Sequence, residues 1–259
     1  MTSSIRSINR LLYANGGWRS YFRGIGFFVV EGILTALLSG LFTLVFGGFF
    51  TPIATLLATL VTVQISTAWV HIIMAPSAKS NWSRLPSFKR AFDATWKPTC
   101  LYWLAFEVMR WSPRLLQIIF AVPFPDFEGG EDGPHSINWA NFPMVRVIAM
   151  VLTYLLIVFW VHIPAFVVLV RVQASLLPGE DNPMMPFDRS FQGRVQPAVV
   201  DGKGYATITD AWTTYSRAAW RRLLVLSAKN FGIAVAFVLV AGGIIGAELS
   251  LISHKSVRN

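Results

Sequence analysis

Long apolar runs dominate the pattern along the chain, and five of them are long enough to cross a bilayer as helices. About 20 apolar residues cover the roughly 30 Å of a membrane's hydrocarbon core. The runs lie at residues 24–49, 52–74, 99–122, 145–170 and 230–252. The sequence has none of the alternating segments of about ten residues that build membrane β-barrels. The pattern therefore predicts an all-α polytopic membrane protein with about five transmembrane helices, forming one integral membrane domain over residues 1–259.

A short link with paired glycines and a proline joins the first two runs. Its sequence is Gly47-Gly48-Phe49-Phe50-Thr51-Pro52. Glycine ends helices and proline is favoured in a helix's first turn, so the link predicts a tight turn in a helical hairpin. The second run is accordingly predicted as one helix.

The composition agrees with a membrane protein and changes how the net charge is interpreted. Charged residues make up 14% of the chain and hydrophobic ones 54%, whereas soluble domains carry about 25% charged residues. The formal charge of +9 is spread over the segments between the apolar runs, which is where topology signals lie. Membrane lipids, or a second membrane protein, are therefore the expected partners, and nucleic acid is not.

The distribution of basic residues predicts the orientation. The segment before the first run has four arginines and no acid, and residues 171–229 contain eight basic residues. Residues 123–144 contain four acids and no lysine or arginine. Basic loops stay in the cytoplasm, so the N-terminus and the loop 171–229 are predicted to face the cytoplasm, in an endomembrane or the plasma membrane. Lys255 and Arg258 beyond the fifth run argue against its full crossing, which stays open.

A similar pattern precedes three of the runs: a hydroxyl residue suited to a helix N-cap, then apolar and polar residues at helical spacing, then a tryptophan beside a basic residue. The three segments run from Ser7 to Trp18-Arg19, from Ser87 to Trp96-Lys97, and from Thr207 to Trp220-Arg221-Arg222. This pattern predicts short amphipathic helices on the cytoplasmic membrane surface.

Two motifs in the long loop carry a resemblance to a known family. They are Arg171-Val172-Gln173-Ala174-Ser175-Leu176-Leu177-Pro178 and Pro186-Phe187-Asp188-Arg189-Ser190-Phe191. Over residues 165–250 the chain resembles uncharacterised fungal multi-pass membrane proteins, which are often labelled automatically as ubiquitin carriers or ubiquitin-conjugating enzymes. The resemblance implies no site residue. Ubiquitin transfer needs an exposed, activated thiolate, and the single cysteine, Cys100, begins an apolar run.

Polar residues inside the apolar runs are the candidate functional residues, because such residues are costly in a membrane. Glu31, Glu107 and His162 fall at similar depths, about 10–12 Å from the cytoplasmic boundary, and are the candidate catalytic residues. The wider polar network comprises Glu31, His71, Glu107, Arg110, Arg114 and His162. Converging carboxylates and imidazoles could bind a metal, relay protons or catalyse acid–base steps. No cofactor is predicted.

A structural interpretation accounts for the same residues. Glu107 and Arg110 can neutralise each other, and Glu31 can pair with Arg114. His162 can bond a carbonyl that Pro164 frees. Ser112-Pro113 is expected to break or bend the third run, which would open a cavity beside Arg110 and Arg114.

Three functions remain open from the sequence, which has no phosphate-binding loop, HExxH or GxSxG motif. The favoured one is a non-enzymatic scaffold or accessory protein that organises lipid or a partner. The second is a small intramembrane enzyme that acts on a lipidic or isoprenoid substrate through Glu31, Glu107 and His162. The third is a transporter or channel, which five runs and no broken-helix pair support poorly.

Overall fold

The computed structural model describes residues 5–75, 85–122, 143–179, 183–184, 187–195 and 204–256, with side chains through residue 244. These ranges are helical wherever the backbone is regular, and they contain no strand, which confirms the all-α prediction. The helices are α1 (Ile5–Ala14), α2 (Ile25–Phe46), α3 (Thr51–Val61), α4 (Val63–Met74), α5 (Phe88–Phe120), α6 (Met144–Ile157), α7 (Ile163–Ser175), α8 (Ile208–Thr213) and α9 (Arg217–Ser256). Short 3-10 helices span Gly17–Phe22 and Gly48–Phe50, and a π-helical turn spans Val158–His162.

Several of these helices are long and apolar enough to cross a membrane. By length and composition, three segments of the described chain qualify, Gly17–Phe46, Met144–Ser175 and Arg217–Ile244, and the pair α3–α4 makes a fourth if it counts as one bent span. The protein is therefore membrane-embedded. Helix α5, which contains the third predicted run, carries several charged side chains and lies outside this set, so its crossing stays a prediction.

The predicted orientation also stays a prediction. Residues 123–142 make up nearly all of the acidic segment, and they lie outside the described residues.

The chain forms two compact units, and the single integral membrane domain stays a prediction. One unit consists of Met1–Tyr21 with Tyr215–Asn259, and the other is Phe22–Thr214. The first contains α1 and α9. The second contains α2 to α8 and all of the candidate site residues, so the site is described within it.

The predicted hairpin between the first two runs is present. Gly47 has φ +89°, a conformation that side chains other than glycine's rarely adopt. The Thr51 hydroxyl donates to the Gly48 carbonyl at 2.6 Å, and Pro52 lies in the first turn of α3. Helices α2 and α3 pack against each other beyond this turn.

The second predicted span is not one helix, and this is a correction to the sequence prediction. The chain bends by 57° between α3 and α4, at Thr62. The Thr62 hydroxyl lies 3.1 Å from both the Ala58 carbonyl and the Thr35 hydroxyl. A threonine that bonds back to the preceding turn often bends a helix, and the bond to α2 stabilises the bent form. A broken-helix pair is therefore present after all.

Helix α5 corrects two further predictions. It runs without interruption from Phe88 through Pro98 and Pro113, so no separate interfacial helix follows Ser87 and no break occurs at Ser112-Pro113. The alternative of a bend at Ser112-Pro113 stays a prediction. Pro113 has no N–H for the Met109 carbonyl, four residues earlier. The Ser112 hydroxyl donates to that carbonyl at 2.8 Å. The serine therefore replaces the hydrogen bond that the proline removes.

The other two predicted interfacial helices form with altered bounds. Helix α1 is amphipathic and begins at Ile5, two residues before the expected cap Ser7. Thr207 caps α8 through a reciprocal pair of bonds with Asp210, as predicted. The Trp220-Arg221-Arg222 group belongs instead to α9, which is continuous with the fifth run. Their location on the membrane surface stays a prediction.

Ser112→Ala should lower the melting temperature in mild detergent, because the Met109 carbonyl loses its donor in an apolar setting. We expect the free energy of unfolding to fall by about 1 kcal/mol. In a Pro113→Ala background the new N–H can bond that carbonyl, so the same change should cost much less. Equal losses in the two backgrounds would show that the serine does not compensate for the proline.

Candidate functional site

A cavity of about 620 Å³ lies among the helices of the larger unit. Helix α2 contributes Glu31, Thr35 and Ser39, which share one helical face because they are four residues apart. The described lining residues come from five helices and are Phe28, Glu31, Gly32, Thr35, Ala36, Ser39, Thr55, Ser66, Trp69, Tyr102, Phe166, Leu169 and Gln173. The cavity thus combines one carboxylate with hydroxyls, an amide and aromatic rings.

Glu31 is the ionisable acid among the described residues that line the cavity. Its carboxyl interacts with the Ser66 hydroxyl of α4 and electrostatically with Tyr102 of α5. Within the described residues no arginine, lysine or histidine forms an ion pair with it. The pairing with Arg114 that the sequence suggested is absent there, since the Arg114 guanidinium lies over the Trp111 ring at 5.7 Å.

Gln173 connects α7 to α4 at the wall of the cavity. Its side chain is 2% exposed, and its amide nitrogen donates to the Ser66 hydroxyl at 3.0 Å. Its backbone carbonyl accepts a hydrogen bond from Nε2 of the buried His71 at 2.9 Å. His71 therefore holds two helices together, and Gln173 orients the hydroxyl that faces Glu31.

Two pairs of aromatic rings form part of the lining. Phe28 of α2 and Trp69 of α4 have ring centroids 5.6 Å apart. Tyr102 of α5 and Phe166 of α7 have centroids 5.7 Å apart. Each of four helices thus contributes one ring to the cavity.

Glu107 belongs to a different cluster. Its Oε2 accepts hydrogen bonds from Arg110 at 2.6 and 3.0 Å and from the Trp111 indole at 3.0 Å. The Arg110 guanidinium also lies over the Trp111 ring at 5.2 Å. None of these residues is among the described lining of the cavity. The Glu107–Arg110 neutralisation that the sequence suggested is therefore present, on α5 alone.

His162 lies behind the cavity wall. It closes the π-helical turn before α7, and its ring is 5.3 Å from that of Tyr102, which does line the cavity. Its Nδ1 is buried and has no hydrogen-bond partner among the described residues, so this nitrogen does not make the predicted bond to a carbonyl freed by Pro164. Glu31, Tyr102 and His162 are consecutive neighbours, whereas Glu107 is not with them.

No group of three or more histidine, cysteine, aspartate or glutamate side chains within the described ranges could hold a metal ion. Among the described contacts of the six polar residues, Glu31 lines the cavity, His71 and His162 contact residues of its lining, and Glu107 bonds to Arg110 on α5. Their action as one network stays a prediction.

No protein-family model, curated protein or solved structure matches the chain. The resemblance to a fungal membrane protein family stays a prediction.

The two motifs of that resemblance have structural roles around α7. The Arg171 guanidinium lies 5.0 Å over the ring of Phe191, which is 2% exposed. Asp188 accepts hydrogen bonds from the Ser190 hydroxyl at 2.6 Å and the Gln192 N–H at 2.7 Å, and these bonds lower the pKa of its carboxyl. The loop that follows α7 is thereby attached to the helix that carries Gln173.

Sequence reasoning missed most of the residues that surround Glu31. Thr35 and Ser39 had a detectable signal, since they repeat the Glu31 position at intervals of four. Ser66 and Tyr102 had none, because isolated hydroxyl residues are common in membrane helices. Gln173 stood within a motif whose role the sequence did not reveal.

Glu107→Gln alone should destabilise the protein, because Arg110 keeps its charge and loses its partner. Fully buried pairs cost about 3–5 kcal/mol when broken. Because the Arg110 side chain is 38% exposed, we expect Glu107→Gln to lower the free energy of unfolding by about 1–2 kcal/mol. The double change Glu107→Gln with Arg110→Met should recover much of the loss, measured as melting temperature in detergent. A double variant less stable than the single one would contradict a purely neutralising role.

Proposed function

We propose that this protein is a non-enzymatic integral membrane protein that binds a membrane amphiphile in the Glu31 cavity, and so organises lipid or presents it to a partner. The observation that carries the proposal is a cavity of about 620 Å³ among helices of a membrane-embedded chain. Sites for small molecules typically measure about 300–1,000 Å³, and most of their lining is apolar with a few convergent polar groups. The Glu31 cavity matches this description.

The surface around the cavity favours an amphiphile over a water-soluble ligand. Phe28 lines the cavity and is 56% exposed, so the cavity reaches the molecular surface there. Its neighbours on α2, Ile25 and Val29, are 52% and 48% exposed. Exposed apolar side chains on a membrane helix contact lipid tails. A molecule with an apolar tail can therefore enter sideways from the bilayer.

The arrangement gives less support to an intramembrane enzyme. Acid–base catalysis needs partners within hydrogen-bond reach of one reacting group. Of the three candidates, Glu31 is in the described lining, whereas Glu107 is bonded to Arg110 and His162 lies behind Tyr102.

The bend between α3 and α4 favours a second function, movement of the bound molecule across the membrane. Transporters often place their sites beside broken helices, which come in pairs from two structural repeats. Thr55 of α3 and Ser66 of α4, on either side of the bend, both line the cavity. One bent pair occurs in the described chain, so we rank transport below binding.

Gly32→Leu tests the proposed function by filling the cavity. A Cβ at this lining residue meets nothing within 4 Å, so the larger side chain can extend into the open space. We expect the variant to fold normally. The amount of amphiphile that co-purifies with it should be at least about tenfold lower than with the wild-type chain. The measurement is extraction from protein purified in mild detergent, with mass-spectrometric quantification per mole of protein.

Gly26→Leu is the matched control. Gly26 is also on α2 and also has open space around its Cβ, but it lies away from the face that lines the cavity. This variant should retain the amphiphile. If Gly32→Leu retained as much as the wild type, or if both variants lost it equally, the cavity would not be the binding site.

A further inference from the structure

We propose that the amphiphile carries an organic ammonium head group, which pairs with the Glu31 carboxylate between the two aromatic pairs of the cavity. This inference rests on the proposed function, because it names the ligand class of the same site. Charge, ring placement and cavity size each support it.

The charge of the lining points to a cation. Glu31 is a carboxylate in a membrane-spanning helix, and no lysine or arginine is among the described residues that line the cavity. A carboxylate away from bulk water is costly unless it takes up a proton or a positive charge compensates it. The Ser66 hydroxyl can donate a hydrogen bond, but it brings no charge. A cationic ligand supplies such a charge and favours the ionised form of Glu31.

The aromatic rings specify what kind of cation fits. Ring faces attract cations within about 6 Å of the centroid, and aromatic residues recognise quaternary ammonium groups in this way. Phe28, Trp69, Tyr102 and Phe166 come from four different helices and line the cavity together with Glu31. A metal ion would require several oxygen ligands, and the described lining residues include a single carboxylate for this purpose. An alkylated ammonium suits both the rings and the carboxylate.

An ammonium group of this kind occurs on lipid head groups and on small free cations. The cavity favours the lipid form. Its volume of about 620 Å³ suits a drug-sized molecule, and it reaches the lipid-facing surface at Phe28. A tail can extend through that opening while the head group stays beside Glu31.

The test compares two detergents of the same chain length and similar head-group size. Dodecyltrimethylammonium carries a full positive charge, and dodecyldimethylamine oxide has none overall at neutral pH. Isothermal titration of the full chain in maltoside micelles, at low probe concentrations, gives the dissociation constants. We expect the wild type to bind the cationic probe at least about tenfold more tightly than the amine oxide. Glu31→Gln should reduce that ratio to about one to three.

A second variant covers the case in which Glu31→Gln does not fold. Trp69→Leu removes one ring face and keeps the carboxylate, so it should weaken binding of the cationic probe about three- to tenfold and change binding of the amine oxide less. Trp160→Leu is the control, since this exposed tryptophan is outside the described lining. Equal effects of the two tryptophan changes would overturn the aromatic part of the inference.

The remaining outcomes separate this inference from the proposed function. If the wild type bound both probes with equal affinity and Gly32→Leu abolished the binding of both, the inferred ammonium head group would be wrong. The proposed amphiphile site would stand. If the wild type bound neither probe, both the inferred ammonium head group and the proposed amphiphile site would be wrong. Tetramethylammonium, which has no tail, should compete at least about 100-fold more weakly than the cationic probe. If tetramethylammonium competed as well as the cationic probe, the site would recognise the ammonium group. The proposal that the site binds an amphiphile would then be wrong.

Discussion

Polar groups inside a membrane must find partners within the protein, and in the larger unit Gln173 provides two such contacts between α7 and α4. Its side chain donates to Ser66, and its backbone carbonyl accepts from His71. Both partners are on α4, so a single residue of α7 holds that helix at two points. In lipid the apolar contact between helices gives little preference for one arrangement, so such polar contacts have a large influence on which helices meet.

The cavity follows from this link together with the bend at Thr62. Helix α4 is held against α7, while the chain before it turns by 57° and packs as α3 against α2 and α5. The hydroxyl contact between Thr35 and Thr62 attaches α2 at the bend. Space remains between α2, α4, α5 and α7, and Glu31 faces it. The carboxylate is thus positioned by contacts that do not themselves neutralise its charge.

The sequence predicted features that depend on neighbouring residues, and it missed those that depend on distant ones. The helices, the turn at Gly47 and the Glu107–Arg110 pair all follow from local spacing. The bend at Thr62 had no glycine or proline to indicate it. Pro113 indicated a break or a bend, but the helix is unbroken there, and the adjacent Ser112 hydroxyl bonds to the carbonyl that the proline leaves without a donor. The Gln173–Ser66 bond joins residues 107 positions apart, and no pattern in a single sequence reports such a contact.

The central claim is that the Glu31 cavity holds an amphiphile within the membrane. Its most direct test is a cryo-electron microscopy map of the full chain in lipid nanodiscs, with an antibody fragment bound to increase its size. We predict elongated density that extends from the opening at Phe28 to the Glu31 carboxylate, between the Trp69 and Tyr102 rings. A cavity closed by direct contact between α2 and α7, or one without ligand density in an otherwise well-defined map, would contradict the account.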